Sequence, residues 1–394
     1  MRNAGKALVI IVLLLLGIGF LLLASASSVK GMDEAGDIFF YVKKQLFWLF
    51  LGVLGAIGAA LFDYHWLHKV KLNLFLIACT AILLMLVFAP HIGKCIKGSH
   101  RWIQVGPLSI QPSEFAKLTI VIMLSTWMTL KGRFATNIKQ GLAVPLFALA
   151  AMLGLIFLEP DYGTTFLLAG VGAGIMFLGG TRTSHLVASG TLGLMLFVLA
   201  VMHNPVRLMR FLSFVFRDAY PDAAYQLTQS ETSFALGGVW GVGYMKSMQK
   251  LYFLPEAHND FIFAILGEER GLIATLGVLF LFVLLMLFGF SISRRAPDRF
   301  GSLLAFGMTM LLSLEAFINI GVVTGCLPTK GLALPFMSAG GSSMVSSMVA
   351  VGVLLNVARH IETADEHMRS IKDKDVYALE KAPEVSRGVR FQKT

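Results

Sequence analysis

The chain has 394 residues, 56% of them hydrophobic and only 14% charged, where a soluble domain averages about 25% charged. That composition excludes a fold whose main solvent is water. The formal charge of +10 would suit a nucleic-acid binder, but the basic residues are spread through connections between apolar runs, a distribution that membrane topology explains, so no nucleic acid is expected.

The first apolar run, Ala7 to Ala24, follows Arg2 and Lys6 and ends in small residues. It has features of a secretory signal, yet the many later spans favour a retained first helix. Apolar windows bounded by charged or Pro/Gly-rich breaks predict ten spans, starting near Ala7, Leu46, Leu72, Glu114, Leu142, Thr164, Leu186, Ile262, Ser302 and Gly341. The expected fold is therefore an all-α polytopic membrane protein with about ten transmembrane helices and a large extracytoplasmic loop between spans 7 and 8. An even number puts both termini on one side, and a modest majority of Lys and Arg places that side in the cytoplasm. Residues 1–360 form the transmembrane domain and 361–394 a polar cytoplasmic tail, which is given no chemistry. Cys79, Cys95 and Cys326 are scattered and odd in number, so neither a disulfide framework nor a zinc site is expected.

Two outer segments are long for connectors, Ala89 to Ser113 and roughly 203–261, and long loops in a compact fold are usually functional or disordered. The second carries Trp240, Tyr244, Tyr252 and four glycines from Gly237 to Gly243, a composition that predicts ordered, partly membrane-dipping backbone.

Four clusters could carry chemistry. The first runs from Gly98 through Arg101-Trp102-Ile103 to Gln111-Pro-Ser-Glu-Phe-Ala-Lys117. Glu114 and Lys117, three apart, share a helix face. Two readings fit: an interfacial anchor, with Trp102 in the headgroup belt and Lys117 snorkelling, or a cationic cradle for a lipid pyrophosphate. The second cluster, Glu159-Pro-Asp161-Tyr-Gly-Thr164, makes a tight turn in which Asp161 suits an N-cap as well as a functional acid; Glu159 needs another partner. The third gathers Glu256, His258, Asp260, Glu268 and Glu269 at the end of the large loop and the start of the eighth span. So many acids beside hydrocarbon are costly unless paired or working. Asp260 could simply cap, and Glu268 and Glu269 are expected to be structural. The fourth, Leu327-Pro-Thr-Lys330-Gly to Gly340-Gly-Ser-Ser343, is broken by Pro328 and Pro335 and reads as a re-entrant outer loop. Glu315 with Asn319 reads as a polar clasp, and Gly170 with Gly174 as a helix contact.

In this order on a ten-span chain, Arg101-Trp-Ile, Pro112-Ser-Glu-Phe-Ala-Lys117, Pro160-Asp-Tyr-Gly-Thr164, Leu254-Pro-Glu-Ala-His-Asn-Asp-Phe-Ile-Phe263 and Gly340-Gly-Ser-Ser343 resemble the motifs of the SEDS family (shape, elongation, division and sporulation), whose members are FtsW, RodA and the sporulation homologue. Pro328-Thr-Lys-Gly331 and the Pro-Glu-Ala-His run look like its division-type branch. The sequence departs from the family at Glu159, where Gln is common, at Asn259, where Thr is common, and at Ala339, where Tyr is usual. The resemblance implies a peptidoglycan glycosyltransferase of the bacterial cytoplasmic membrane and division septum. Such an enzyme polymerises lipid II beside a class B penicillin-binding transpeptidase and other divisome membrane proteins. It also implies that Asp260 is the essential acid of the large loop.

That chemistry joins a sugar hydroxyl to an anomeric carbon as undecaprenyl pyrophosphate leaves, and inversion points to single displacement. A carboxylate must accept the hydroxyl proton, and Asp260 is the candidate. Cations aimed at the departing pyrophosphate stabilise the transition state; Arg101 and Lys117 are the first candidates and Lys330 a third. Trp102, Glu114, Asp161 and His258 complete the expected substrate-binding set. No cofactor is firmly implied, although a divalent metal could replace cations occupied by Glu114 or Glu159. The rival readings are a lipid II flippase, which would carry charge at mid-depth, and a non-catalytic scaffold that recruits a transpeptidase.

Overall fold

The structure, a computed structural model, describes residues 4–89, 92–96, 99–106 and 108–381. Each expected span is a helix. In chain order they are α1 (Ala4–Ala26), α3 (Phe40–Leu61), α4 (Val70–Leu86), α5 (Pro112–Leu130), α6 (Val144–Leu158), α7 (Tyr162–Leu178), α8 (Thr183–Met202), α11 (Ile262–Arg295), α12 (Arg299–Val323) and α13 (Gly341–Lys381). Short helices α2 (Ser28–Ala35), α9 (Pro205–Val215) and α10 (Pro221–Gly237) lie in the connections. Among the described residues, seven helices are long and apolar enough to cross a bilayer by length and composition, α6 counted with the turn before it from Ile138, while α4 and α7 are shorter apolar helices. α5 spans 19 residues but carries Glu114 and Lys117 in its first two turns.

Burial sorts the helices. α12 is the central one, with Leu304, Ala305, Met308 and Ala316 fully enclosed, whereas α8 has no buried residue and turns its Leu, Val and Met side chains outward, as lipid contact requires. α1 belongs to the core, with Leu8 and Leu15 wholly buried. Without a water-driven hydrophobic force between spans, close approach depends on small residues. Gly352 of α13 lies on the backbone of Ala56 in α3, Gly174 of α7 meets the Phe306 ring of α12, and Gly170 meets Leu314.

Three features differ from the sequence expectations. The outer segment before α5 is not an irregular loop: β1 (Gly93–Ile96), β2 (Ser99–Val105) and β3 (Leu108–Ile110) form an antiparallel sheet in the order β1-β2-β3, with Ile103 opposite Ile110 and buried. α11 is not continuous, because Gly271 sits at φ 71°, ψ −168°, a region open only to glycine, and breaks it into two helices. α13 continues through Lys381, past the expected start of the tail, since no Gly or Pro interrupts the sequence between Gly352 and Pro383. The tail beyond 381, like Gly98, lies outside the described residues.

Alternating helix direction puts the starts of α5, α7, α11 and α13 at the end opposite the chain termini. Gln111 N–H donates to Ser342 Oγ at 3.0 Å, and Ala339 N–H to the His258 carbonyl at 3.1 Å. All four sequence clusters thus meet at one end of the bundle.

Candidate active site

Asp260 is fixed by its own turn and by the re-entrant segment 327–340. The Asn259 and Phe261 N–H groups both donate to the Glu256 carbonyl, at 3.0 and 3.4 Å. Ser338 Oγ donates to the Asn259 carbonyl at 2.7 Å, and Asn319 of α12 donates to the carbonyls of Asp260 (2.8 Å) and Leu332 (2.6 Å). Of the two residues read as a polar clasp, Asn319 thus holds the Asp260 turn, while Glu315 bonds Lys117. A Cβ at Gly331 would lie 2.8 Å from Asp260 Oδ2, so glycine there gives the carboxylate its room. Glu256 (φ 56°) and Phe336 (φ 67°) hold left-handed backbone on either side, the kind of strain that clusters at working sites.

Lys330 follows from the same loop. It is half-buried, its ammonium 4.4 Å from the Phe166 ring centroid and 5.9 Å from that of Phe197. Burial alone pushes its pKa down: the group is a desolvated cation that an incoming anion would stabilise. Phe197 packs on Tyr162, and the Arg207 guanidinium lies 3.3 Å from the Tyr162 ring centroid. Burial, then the neighbouring charges of Arg101 and Arg210, lower Arg207 to about 10. Lys330, Arg207, Arg210 and Arg101 thus form one connected positively charged mouth, to which Asp260 is tied through Gly331, the neighbour of Lys330. An adjoining cleft of about 400 Å³ runs between Arg210 of α9, Tyr225 of α10, Pro255 and Thr329.

The other expected residues fall around this mouth. Arg101, in β2, donates to the Glu159 carbonyl at 3.1 Å and to the Pro160 carbonyl, and its Nη1 is 3.9 Å from Asp161 Oδ1. It clamps the α6–α7 turn, and Leu332 packs on Gly163 of that turn, linking Arg101 to the loop that carries Lys330. Asp161 is buried and caps α7 through Thr164 N–H (3.3 Å) and Oγ1 (3.0 Å), with Gln111 and Ser113 also donating to it. Trp102 lies half-buried beside Arg101, paired in register with Lys94. His258 is buried on the other flank, against the Tyr41 ring at 4.9 Å and with Nε2 3.5 Å from Lys30 Nζ.

Lys117, expected to face the pyrophosphate or else to snorkel, does neither. It is 1% exposed, with Nζ 2.8 Å from Glu114 Oε2 and 2.5 Å from Glu315 Oε1. Ser346 of α13 donates to Glu114 at 2.6 Å. Two carboxylates hold this cation inside the protein, one helical turn below Asn319. Glu268 and Glu269 are also internal: Glu268 accepts from Met248 N–H (2.7 Å) and Ser247 Oγ, and Glu269 from Ser25 Oγ (2.5 Å) and Lys250 Nζ (3.2 Å). They pin the loop after α10 onto α11 and α1.

Arg207 and Arg210 were not singled out in the sequence. Their signal is the basic, amphipathic Pro205-Val-Arg-Leu-Met-Arg210 directly after an apolar span.

Residues 6–363 match the model of the FtsW/RodA/SpoVE family, described as a cell cycle protein. The chain belongs to this family. It is 39% identical over 356 residues to stage V sporulation protein E of Bacillus subtilis strain 168, covering 90% of this chain and 96% of that protein. Its identity to the probable peptidoglycan glycosyltransferase FtsW of Trichlorobacter lovleyi is 36% over 358 residues, covering 91% and 93%. Among solved structures it superposes on a chain of a peptidoglycan synthase complex, studied for its coordination of polymerization and crosslinking, with a TM-score of 0.74 at 26% identity, covering 90% of this chain and 97% of that one.

Proposed function

We propose that this protein is a peptidoglycan glycosyltransferase of the division-type branch, joining lipid II units into glycan strands at the outer face of the bacterial cytoplasmic membrane. The observation that carries the reading is one carboxylate, Asp260, held by Asn319 and facing Gly331, at a mouth lined by Lys330 and Arg207.

Asp260 takes the proton of the attacking sugar hydroxyl as the new bond forms on the opposite face from the leaving group, with inversion. Lys330 and Arg207, assisted by Arg210, meet the negative charge that builds on the departing undecaprenyl pyrophosphate; Arg supplies a planar fork and Lys a point charge. Arg101 and Asp161 hold the turn against which this mouth is built, and Lys117 with Glu114 braces it from beneath. The prenyl chain stays in hydrocarbon along the apolar helix faces throughout. A crosslinking transpeptidase is the expected partner, by analogy with the synthase complex it resembles.

The test is polymerisation of lipid II by purified protein with its transpeptidase partner. Asp260→Asn should lose product at least ~100-fold, as expected for a general base, while its melting temperature in detergent stays near that of wild type. Glycan made by Asp260→Asn at the wild-type rate would remove Asp260 from the chemistry.

A further inference from the structure

At the end of the bundle that carries the chain termini, far along α12 and α13 from Asp260, the 3-10 turn Tyr64–His68 meets the α11–α12 connection and α13. Asp63, His65 and His360 converge there, with one candidate ligand atom from each lying within 4.8 Å of the others. His65 Nδ1 is 2.6 Å and His360 Nε2 3.5 Å from the same oxygen, Asp63 Oδ1. All three side chains are open to solvent in part.

The second nitrogen of each ring decides how this cluster is read. His65 Nε2 faces Asp298 Oδ2 at 3.3 Å, and Asp298 is itself fixed: it accepts from the Tyr64 hydroxyl and caps α12 through Gly301 N–H at 2.8 Å. His360 Nδ1 faces the Asn356 carbonyl at 3.0 Å, and Asn356 is buried and bonded to the Ala59 carbonyl. A neutral imidazole that donates from one nitrogen presents a lone pair at the other. His360, donating to a carbonyl from Nδ1, therefore turns its Nε2 lone pair towards Asp63 Oδ1, and His65 does the same from Nδ1 in the tautomer that donates from Nε2 to Asp298. A carboxylate or carbonyl on the far nitrogen is the arrangement that orients metal-ligating histidines. Two imidazole nitrogens and a carboxylate oxygen are a donor set for zinc-class divalent ions, with a fourth position left for water.

We infer that Asp63, His65 and His360 form a binding site for one divalent transition-metal ion of the zinc class, oriented by Asp298 and the Asn356 carbonyl. Bound there, the ion ties the α3–α4 turn to α13 where α13 leaves the bundle towards its polar extension. The site is independent of the reaction proposed above, and its test does not involve glycan synthesis.

The experiment uses the full chain, tag-free and stripped of metal with chelator, in detergent. Zinc added and then dialysed at pH 7.5 should leave about one ion per chain by elemental analysis, and should raise the melting temperature. Cobalt(II) in its place should give visible absorption bands of a low-coordinate site. His65→Gln combined with His360→Gln should abolish stoichiometric uptake, and Asp298→Asn, which leaves every ligand in place, should weaken it roughly 10- to 100-fold. The inference fails if wild type retains no stoichiometric zinc, or if the double variant retains as much as wild type. A cluster that is only an imidazolium–carboxylate clamp gives the first of these results.

Discussion

Glu159 shows how a single side chain can work against the fold that encloses it. It is wholly buried, and among the described residues neither carboxylate oxygen has a hydrogen-bond partner. Burial, then the nearby Asp161 charge, push its pKa to about 8, with Arg101 opposing in part. A carboxyl that titrates near 4.5 in the unfolded chain and near 8 in the fold keeps a proton when folded that the unfolded chain has lost. Stability is then undiminished below the lower value, falls by about 1.4 kcal/mol per pH unit between the two, and levels off above the upper. Glu159→Gln has the same shape and does not titrate, so its stability should match wild type near pH 5 and exceed it increasingly up to pH 8, by a few kcal/mol at most, which thermal melts read as a widening gap in melting temperature. A gap that does not change with pH would mean that Glu159 is not held neutral. The resemblance already leads one to expect Gln here, and a protonated Glu is its nearest equivalent. Legibility in the sequence follows the range of each interaction. The Asp161 cap was readable because cap and Thr164 are three residues apart. The placing of Lys117 was not, because its second carboxylate, Glu315, lies 198 residues away. Lys330, set third among the cations, lies at the mouth for a reason of packing: two aromatic rings from other helices enclose it.

Among the elements, the spans were legible because a run of apolar residues long enough to cross a bilayer has few alternatives. α9 and α10 were hidden in what reads as a long loop, since α10 is rich in Gln, Ser and Thr and its buried face is made of small residues such as Ala224, Ser230 and Ser233. The break in α11 has no signal in periodicity. It depends on Gly271, where the backbone of Val239 and Gly241 crosses so closely that a Cβ would collide with it. Leu272 N–H donates to the Gly238 carbonyl at 2.9 Å, and Val242 N–H to that of Glu268 at 3.0 Å, so the crossing strand takes up groups the broken helix frees. Gly271→Ala should therefore cost at least ~3 kcal/mol, from forbidden backbone angles and the clash together. Gly277 lies six residues further along the same helix with nothing within 4 Å of its added Cβ, and Gly277→Ala should instead gain roughly 0.5–1 kcal/mol. Thermal melts of the two variants in detergent check this directly. Equal effects would mean that the break is not set by glycine.

At the scale of the whole molecule, the outer mouth and the buried core share one support. Lys117 joins α5 to α12 through Glu315, and Glu114 joins both to α13 through Ser346. Asn319, one turn above Glu315, carries the Asp260 turn and the re-entrant loop together. Charges this deep are retained only when paired or put to use, and the geometry separates those two cases experimentally. Lys117→Met leaves two acids enclosed without their cation and should cost ~3–5 kcal/mol. Lys117→Met with Glu114→Gln and Glu315→Gln removes every formal charge while keeping the volumes, and should recover most of that loss. Polymerisation of lipid II by the triple variant then decides what the triad is for. With Lys117 1% exposed and both its partners inside the protein, activity should return together with melting temperature, because the triad acts on Asp260 only by holding α12 in place. Recovered stability without recovered polymerisation would place the Lys117 charge in the reaction itself and give it back the phosphate-facing role expected from its sequence.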